Sequence, residues 1–241
     1  MTQDPRAELL RGTVPHVAFD GWSDRALKSG AADIGIPQQT ARALFPDGGA
    51  EMIELHSQLL DNEMERRLVA EGISEMRVRD RVGYAVKVRL ALAAEDREAV
   101  RRAVTYLAMP GHSALSMRIV YRTVDMIWRC AGDKATDWNF YSKRGLLSAV
   151  YASGVLFMLQ DDSPDCAETA EFVDRRIADV MRLPKVVERL RRQVPEHRLV
   201  LRRSHEGDAV ARLEEGAQQL TNLVPAAILF RGLLLGLERF V

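Results

Sequence analysis

One stretch constrains this chain more than any other. From Gly132 to Tyr151 it reads GDKATDWNFYSKRGLLSAVY, and it stays apolar on every face through Leu159. Trp138, Phe140 and Tyr141 fall in the first turn of a helix whose free N–H groups Thr136 or Asp137 can cap. Lys143 and Arg144 follow one turn later. A helix apolar all round belongs in the middle of a bundle, so the remaining chain has to enclose it. Its small residues, Gly145, Ser148, Ala149, Ala152 and Gly154, allow close backbone approach or leave a void. Two readings stay open. One is an ordinary central core helix. The other is one wall of a site for an apolar molecule with a polar head, lined by Gly145, Leu147, Ser148, Val150, Tyr151, Gly154 and Met158.

The rest of the chain is punctuated as helices, with no convincing alternating strand. Short helices are expected over Pro5–Phe19, over Asp24–Ala32 behind a Ser23 cap, and from Pro37 to Phe45, stopped by Pro46. Gly35-Ile36 between the second and third is a tight turn of the helix-turn-helix kind. A longer helix from Gly49 to Glu71 carries Met52, Leu55, Leu59 and Leu68 on one stripe and ends at Gly72. Ser74 opens the next, with Val78, Val82, Ala85, Val86 and Leu90 inward, and Asp96 caps another with Val100, Ala103, Val104 and Leu107 inward. Ser113 to Ala131 buries Leu115, Val120, Val124, Ile127 and Trp128; the central helix ends in the breaker Asp161-Asp162-Ser163-Pro164, a solvated turn. Ala167 to Met181 is again amphipathic. The fold class expected is an all-α bundle. Residues 1–48 form a helix-turn-helix region, residues 49–183 the bundle, and residues 184–241 a basic linker and an apolar helix.

Charge and composition narrow the function. Lys plus Arg and Asp plus Glu both number 34, so nothing draws the whole chain to nucleic acid or an acidic membrane. Up to residue 50 there are five basic groups (Arg6, Arg11, Arg25, Lys28, Arg42) against six acidic ones, a poor start for a phosphate reader. The helix-turn-helix therefore reads as one kept for packing. Cys130 and Cys166 lack C-x-x-C or histidine partners and read as reduced core thiols. The five histidines form no H-E-x-x-H, H-x-H or E-x-x-H, so no metal site is expected, and neither nucleophile-elbow nor nucleotide-loop motifs occur. No cofactor and no catalytic residue is expected. Met1 to Arg11 is polar, unlike a signal or transit peptide. Leu223 to Leu237, LVPAAILFRGLLLGL, is too short to span a bilayer and suits an interfacial helix, or one docked on its own bundle or a partner.

Two resemblances attach to these residues. Ala26 to Gly49, ALKSGAADIGIPQQTARALFPDGG, resembles the N-terminal domain of TetR-type regulators. Ala131 to Tyr151, with MLQDDSPD (Met158–Asp165), FVDRRIADVM (Phe172–Met181) and VDMIW (Val124–Trp128), resembles the COQ-nine family of ubiquinone-biosynthesis proteins. The likeness runs over roughly residues 5–185.

The second resemblance implies a TetR-like fold that binds lipid instead of DNA. It implies a homodimeric, non-catalytic accessory protein that holds isoprenoid lipid or a quinone intermediate and presents it to a di-iron quinone hydroxylase. The surface meeting that hydroxylase would map onto Asp125, Ile127, Trp128, Phe140, Tyr141 and Arg144. Contact with a membrane surface would fall on Leu229, Phe230, Leu233, Leu234 and Leu237, placing a bacterial protein in the cytoplasm, peripheral on the inner membrane. The tail beyond residue 185 is longer and more basic than the family pattern. The alternative is a TetR-family transcriptional regulator with a small-molecule domain.

Overall fold

The computed structural model describes residues 4–132 and 138–193, and of 138–142 and 181–193 the backbone alone. Every regular element among the described residues is helical. Helix α1 (Pro5–Asp20) starts at Asp4, whose carboxylate accepts the Arg6 N–H at 3.0 Å. Ser23 caps α2 (Asp24–Asp33) by accepting from Ala26 N–H. Glycines set the crossing of these two helices. A Cβ on Gly30 would stand 2.6 Å from Thr13 Cα, backbone that cannot yield. Gly35, at φ +72°, then reverses the chain into α3 (Gln38–Leu44).

Six longer helices follow: α4 (Gly49–Ala70), α5 (Val78–Glu95), α6 (Arg97–Leu107), α7 (Ser113–Cys130), α8 (Trp138–Met158) and α9 (Ala167–Gln193). They build two main cores. The first gathers Leu9, Leu10, Val17, Phe45, Met52 and Ile53 with Ala99, Ala103, Leu115 and Ile119. The second joins Met64, Leu68, Val86, Leu90, Val124 and Ile127 to Leu147, Val150 and Tyr151 of α8 and Val173 of α9. Helices α4 and α7 contribute to both, so they are the spine that ties the helix-turn-helix end to the bundle.

The structure departs from expectation at several joints. Ser74 does not open a helix: Ile73–Glu75 is a 3₁₀ turn that buries Ile73, and α5 begins at Val78, itself exposed. Helix α6 turns its alanines inward, so Ala99 and Ala103 are buried while Val100 and Val104 are only half-buried beside Met158 and Leu159. Helix α9 continues beyond Met181, through Pro184, to Gln193. A helix can carry that proline at the loss of one backbone bond. The breaker after α8 is not a solvated turn either. Asp162 and Asp165 are exposed, but Asp161 is 3% exposed, and its two oxygens accept from the N–H and hydroxyl groups of both Ser163 and Thr169. Burial alone would raise that carboxyl's pKa; the Ser163 and Thr169 bonds outweigh it and hold the group at about 2.

Candidate functional site at the central helix

The central helix lies where its apolar faces predict, but its inward residues are packed. Leu147, Val150, Tyr151 and Met158 are between 0% and 6% exposed, and Ser148 is buried with its hydroxyl donating to the Arg144 carbonyl at 2.8 Å. Gly154 lets α5 approach: a Cβ there would lie 2.9 Å from Leu90 Cδ1 and 3.6 Å from Val173 Cγ2. Gly145 differs, since a Cβ there would meet nothing within 4 Å. The elongated void suggested by the small residues is thus closed by neighbouring side chains. A cleft of about 220 Å³ instead opens between α5 and the start of α9, lined by Lys87, Leu90, Ala91, Cys166 and Thr169 among others. None of the seven lining residues named from the sequence borders it.

Where α7 hands over to α8, an aromatic and ionic corner forms. Arg144 donates from Nε to Asp125 Oδ1 at 2.8 Å, and Arg129 pairs with the other oxygen at 3.2 Å. Lys143 Nζ stands 5.4 Å from the Trp128 ring centroid, and the buried Trp128 Nε1 finds no hydrogen-bond partner among the described residues. Two members of the expected surface are not surface. Ile127 is fully buried in the core, and Arg144 is 3% exposed, a strut between α7 and α8. Phe140 and Tyr141 occupy the first turn of α8, and their side chains lie outside the described residues. So do Leu229, Phe230, Leu233, Leu234 and Leu237, with all of 194–241.

Sequence reasoning missed a polar cluster inside the second core. Asp61 of α4 and Arg89 of α5 are 1% and 3% exposed and meet at 2.8 Å. Thr123 of α7 donates its hydroxyl to Asp61, Arg122 reaches the same carboxylate at 3.3 Å, and Arg89 Nη2 donates to Ser57 Oγ at 3.2 Å. The Tyr151 ring from α8 covers the guanidinium at 5.8 Å. Burial pushes the Tyr151 phenol's pKa up, against the opposing pull of Arg89 and Thr123. Four helices therefore share one ionic knot, in which Asp61 faces both Arg89 and Arg122 and Arg122 also reaches Glu54 at 3.6 Å. The available signal was Asp61 and Arg89 recurring on otherwise apolar faces, which a lone charged residue on a helix does not advertise.

At the other end, the helix-turn-helix keeps much of its basic charge for itself. Arg25 pairs with Asp20 and Arg42 with Asp24 inside that region, and Arg6 pairs with Glu51 in the first turn of α4, so three of the five cations already face acids. Among the described residues no group of three or more His, Cys, Asp or Glu could hold a metal ion, and no helix is long and apolar enough to cross a membrane.

Comparison with known proteins places this geometry among relatives. The COQ9 family model matches residues 113–184, the segment holding α7, α8 and the first part of α9. The human mitochondrial ubiquinone biosynthesis protein COQ9 is 33% identical over 183 residues, covering 73% of this chain and 57% of the relative. A probable ubiquinone biosynthesis protein coq9 of Dictyostelium discoideum is 31% identical over 189 residues, covering 75% of this chain and 61% of that protein. This chain spans little more than half the length of such relatives. In fold it matches the crystal structure of a TetR transcriptional regulator from Nitrosomonas europaea at TM-score 0.61 and 19% identity, over 74% of this chain and 99% of that one. The all-α, TetR-like architecture follows.

Proposed function

We propose, from the premise that this chain is a homologue of the COQ9 proteins, that it serves ubiquinone biosynthesis as an accessory protein without bond-breaking chemistry of its own. It takes up an isoprenoid lipid or quinone intermediate and presents it to a di-iron quinone hydroxylase, as a homodimer peripheral on the cytoplasmic face of the bacterial inner membrane. The observation that carries this reading is the α7–α8 corner. Trp128 and Lys143, backed by the Asp125–Arg144 strut, form an aromatic corner framed by charge, inside the segment matched by the family model. Such surfaces are the usual makings of a protein–protein hot spot.

The physics suits that task. A polyisoprenoid tail is nearly insoluble, and burying it yields on the order of 25 cal/mol per Å². An apolar bundle can therefore compete with the bilayer for the tail while leaving the head to an enzyme. No residue of the carrier needs to make or break a bond. Native mass spectrometry of the full chain, with organic extraction and lipid identification, tests the carrier role. Co-purifying isoprenoid lipid is the expected result; a protein that neither carries nor takes up isoprenoid or acyl lipid overturns it.

A further inference from the structure

Helices α5 and α9 leave an apolar strip uncovered between them. Tyr84, Val88 and Ala91 share one face of α5, four and three residues apart, and Cys166 and Ala170 line the opposite wall. The cleft of about 220 Å³ takes a few apolar side chains. Its rim is acidic. Asp165 lines it, Asp174 borders it through bonds to Lys87 at 3.0 and 3.1 Å, and Tyr84 donates to Glu71. From Asp161 to Asp174 the chain carries six acids and no base. Such a rim repels an anion, and the apolar floor offers nothing to a bare cation. An apolar segment bearing positive charge suits both.

The chain holds such a segment outside the described residues. Leu223 to Leu237 has Arg231 as its single charge, and the residues leading to it include Arg198, Arg202 and Arg203. The segment can also reach. Ala170 lies 23 residues before Gln193, the end of α9, which is about 35 Å along a helix. The 29 residues of 194–222 span up to about 95 Å. Because the segment is tethered to the cleft it would fill, its local concentration exceeds that of a free partner.

We propose that the α5–α9 cleft is the docking site for this chain's own Leu223–Leu237 segment. Its apolar side chains lie against Val88, Ala91 and Ala170, and Arg231 faces the rim of Asp165 and Asp174. The side chains assigned above to a membrane then have two exclusive places, the cleft or the bilayer. The bilayer half of this exchange rests on the peripheral-membrane reading; the docking half does not.

Disulfide trapping in the full-length chain tests the docking, because Cys166 already lines the cleft. With Cys130→Ser removing the other thiol, Leu229, Phe230, Leu233, Leu234 and Leu237 are changed to cysteine one at a time and oxidised with diamide. At least one position should link to Cys166 within a single chain, since a disulfide forms only where the two Cβ atoms come close. Adding Asp165→Lys/Asp174→Lys, both exposed, should cut that yield at least threefold. No link at any position overturns the proposal, and links formed only between chains assign the cleft to a second copy. A yield undiminished by the lysines overturns the role of the rim. Vesicles of phosphatidylcholine and phosphatidylglycerol, added before the oxidant, should suppress the link at least fivefold. A link that persists while the protein binds the vesicles overturns the exchange. A wild type that ignores the vesicles strikes the membrane reading and leaves the docking intact.

Discussion

At the scale of single residues, the Asp61–Arg89 pair decides the most. A buried ion pair contributes little net stability, because desolvation offsets the attraction, but removing one partner strands the other. Arg89→Met alone should therefore cost about 3–5 kcal/mol in urea unfolding, whereas Asp61→Leu/Arg89→Met should fall near wild type. A single variant as stable as the double would show that neither partner depends on the 2.8 Å bond between them. Asp161 gives a second test, through pH. Its pKa drops from an ordinary 3.8 to about 2, so its contribution is present above about pH 4 and disappears as pH falls toward 2. Asp161→Asn should melt below wild type at pH 6, and the two melting curves should converge near pH 2. A gap that persists unchanged at pH 2 would assign the effect to packing.

At the scale of helices, glycines report how closely the elements touch. Gly30→Ala drives a methyl into the Thr13 backbone at 2.6 Å and should destabilise the α1–α2 crossing by about 1–3 kcal/mol. Gly145→Ala, in open space within α8, should stabilise by up to about 1 kcal/mol, since alanine is the better helix former. Chemical denaturation of the two variants should give opposite signs, and the same sign in both would refute the packing described. These elements also show how far the sequence could be read. The cap at Ser23, the glycine turn before α3 and the all-round apolar α8 were legible because local chemistry decides them; the Asp4 cap on α1 was not read. The closed state of α8 was not, because small residues mark either a void or an intruding neighbour, and only Leu90 and Val173 tell which. Nor was the start of α5: Ser74 looks like a cap, but the burial of Ile73 pulls that turn into 3₁₀ geometry.

At the scale of the whole molecule, two cores share α4 and α7, so these two helices join the helix-turn-helix end to the bundle. The corner where α7 meets α8 was legible as an aromatic–basic cluster, yet its inner members, Ile127 and Arg144, proved to be supports, since only tertiary packing separates a face from its backing. Lys143, half-buried beside the Trp128 ring, is the residue whose charge reversal changes that face directly. The decisive measurement is quinone content in cells whose own copy is replaced by the Lys143→Glu variant. The account predicts a protein that melts within a few degrees of wild type, a fall in ubiquinone and accumulation of its demethoxylated precursor. A folded Lys143→Glu protein that supports normal ubiquinone, with no precursor, would contradict it.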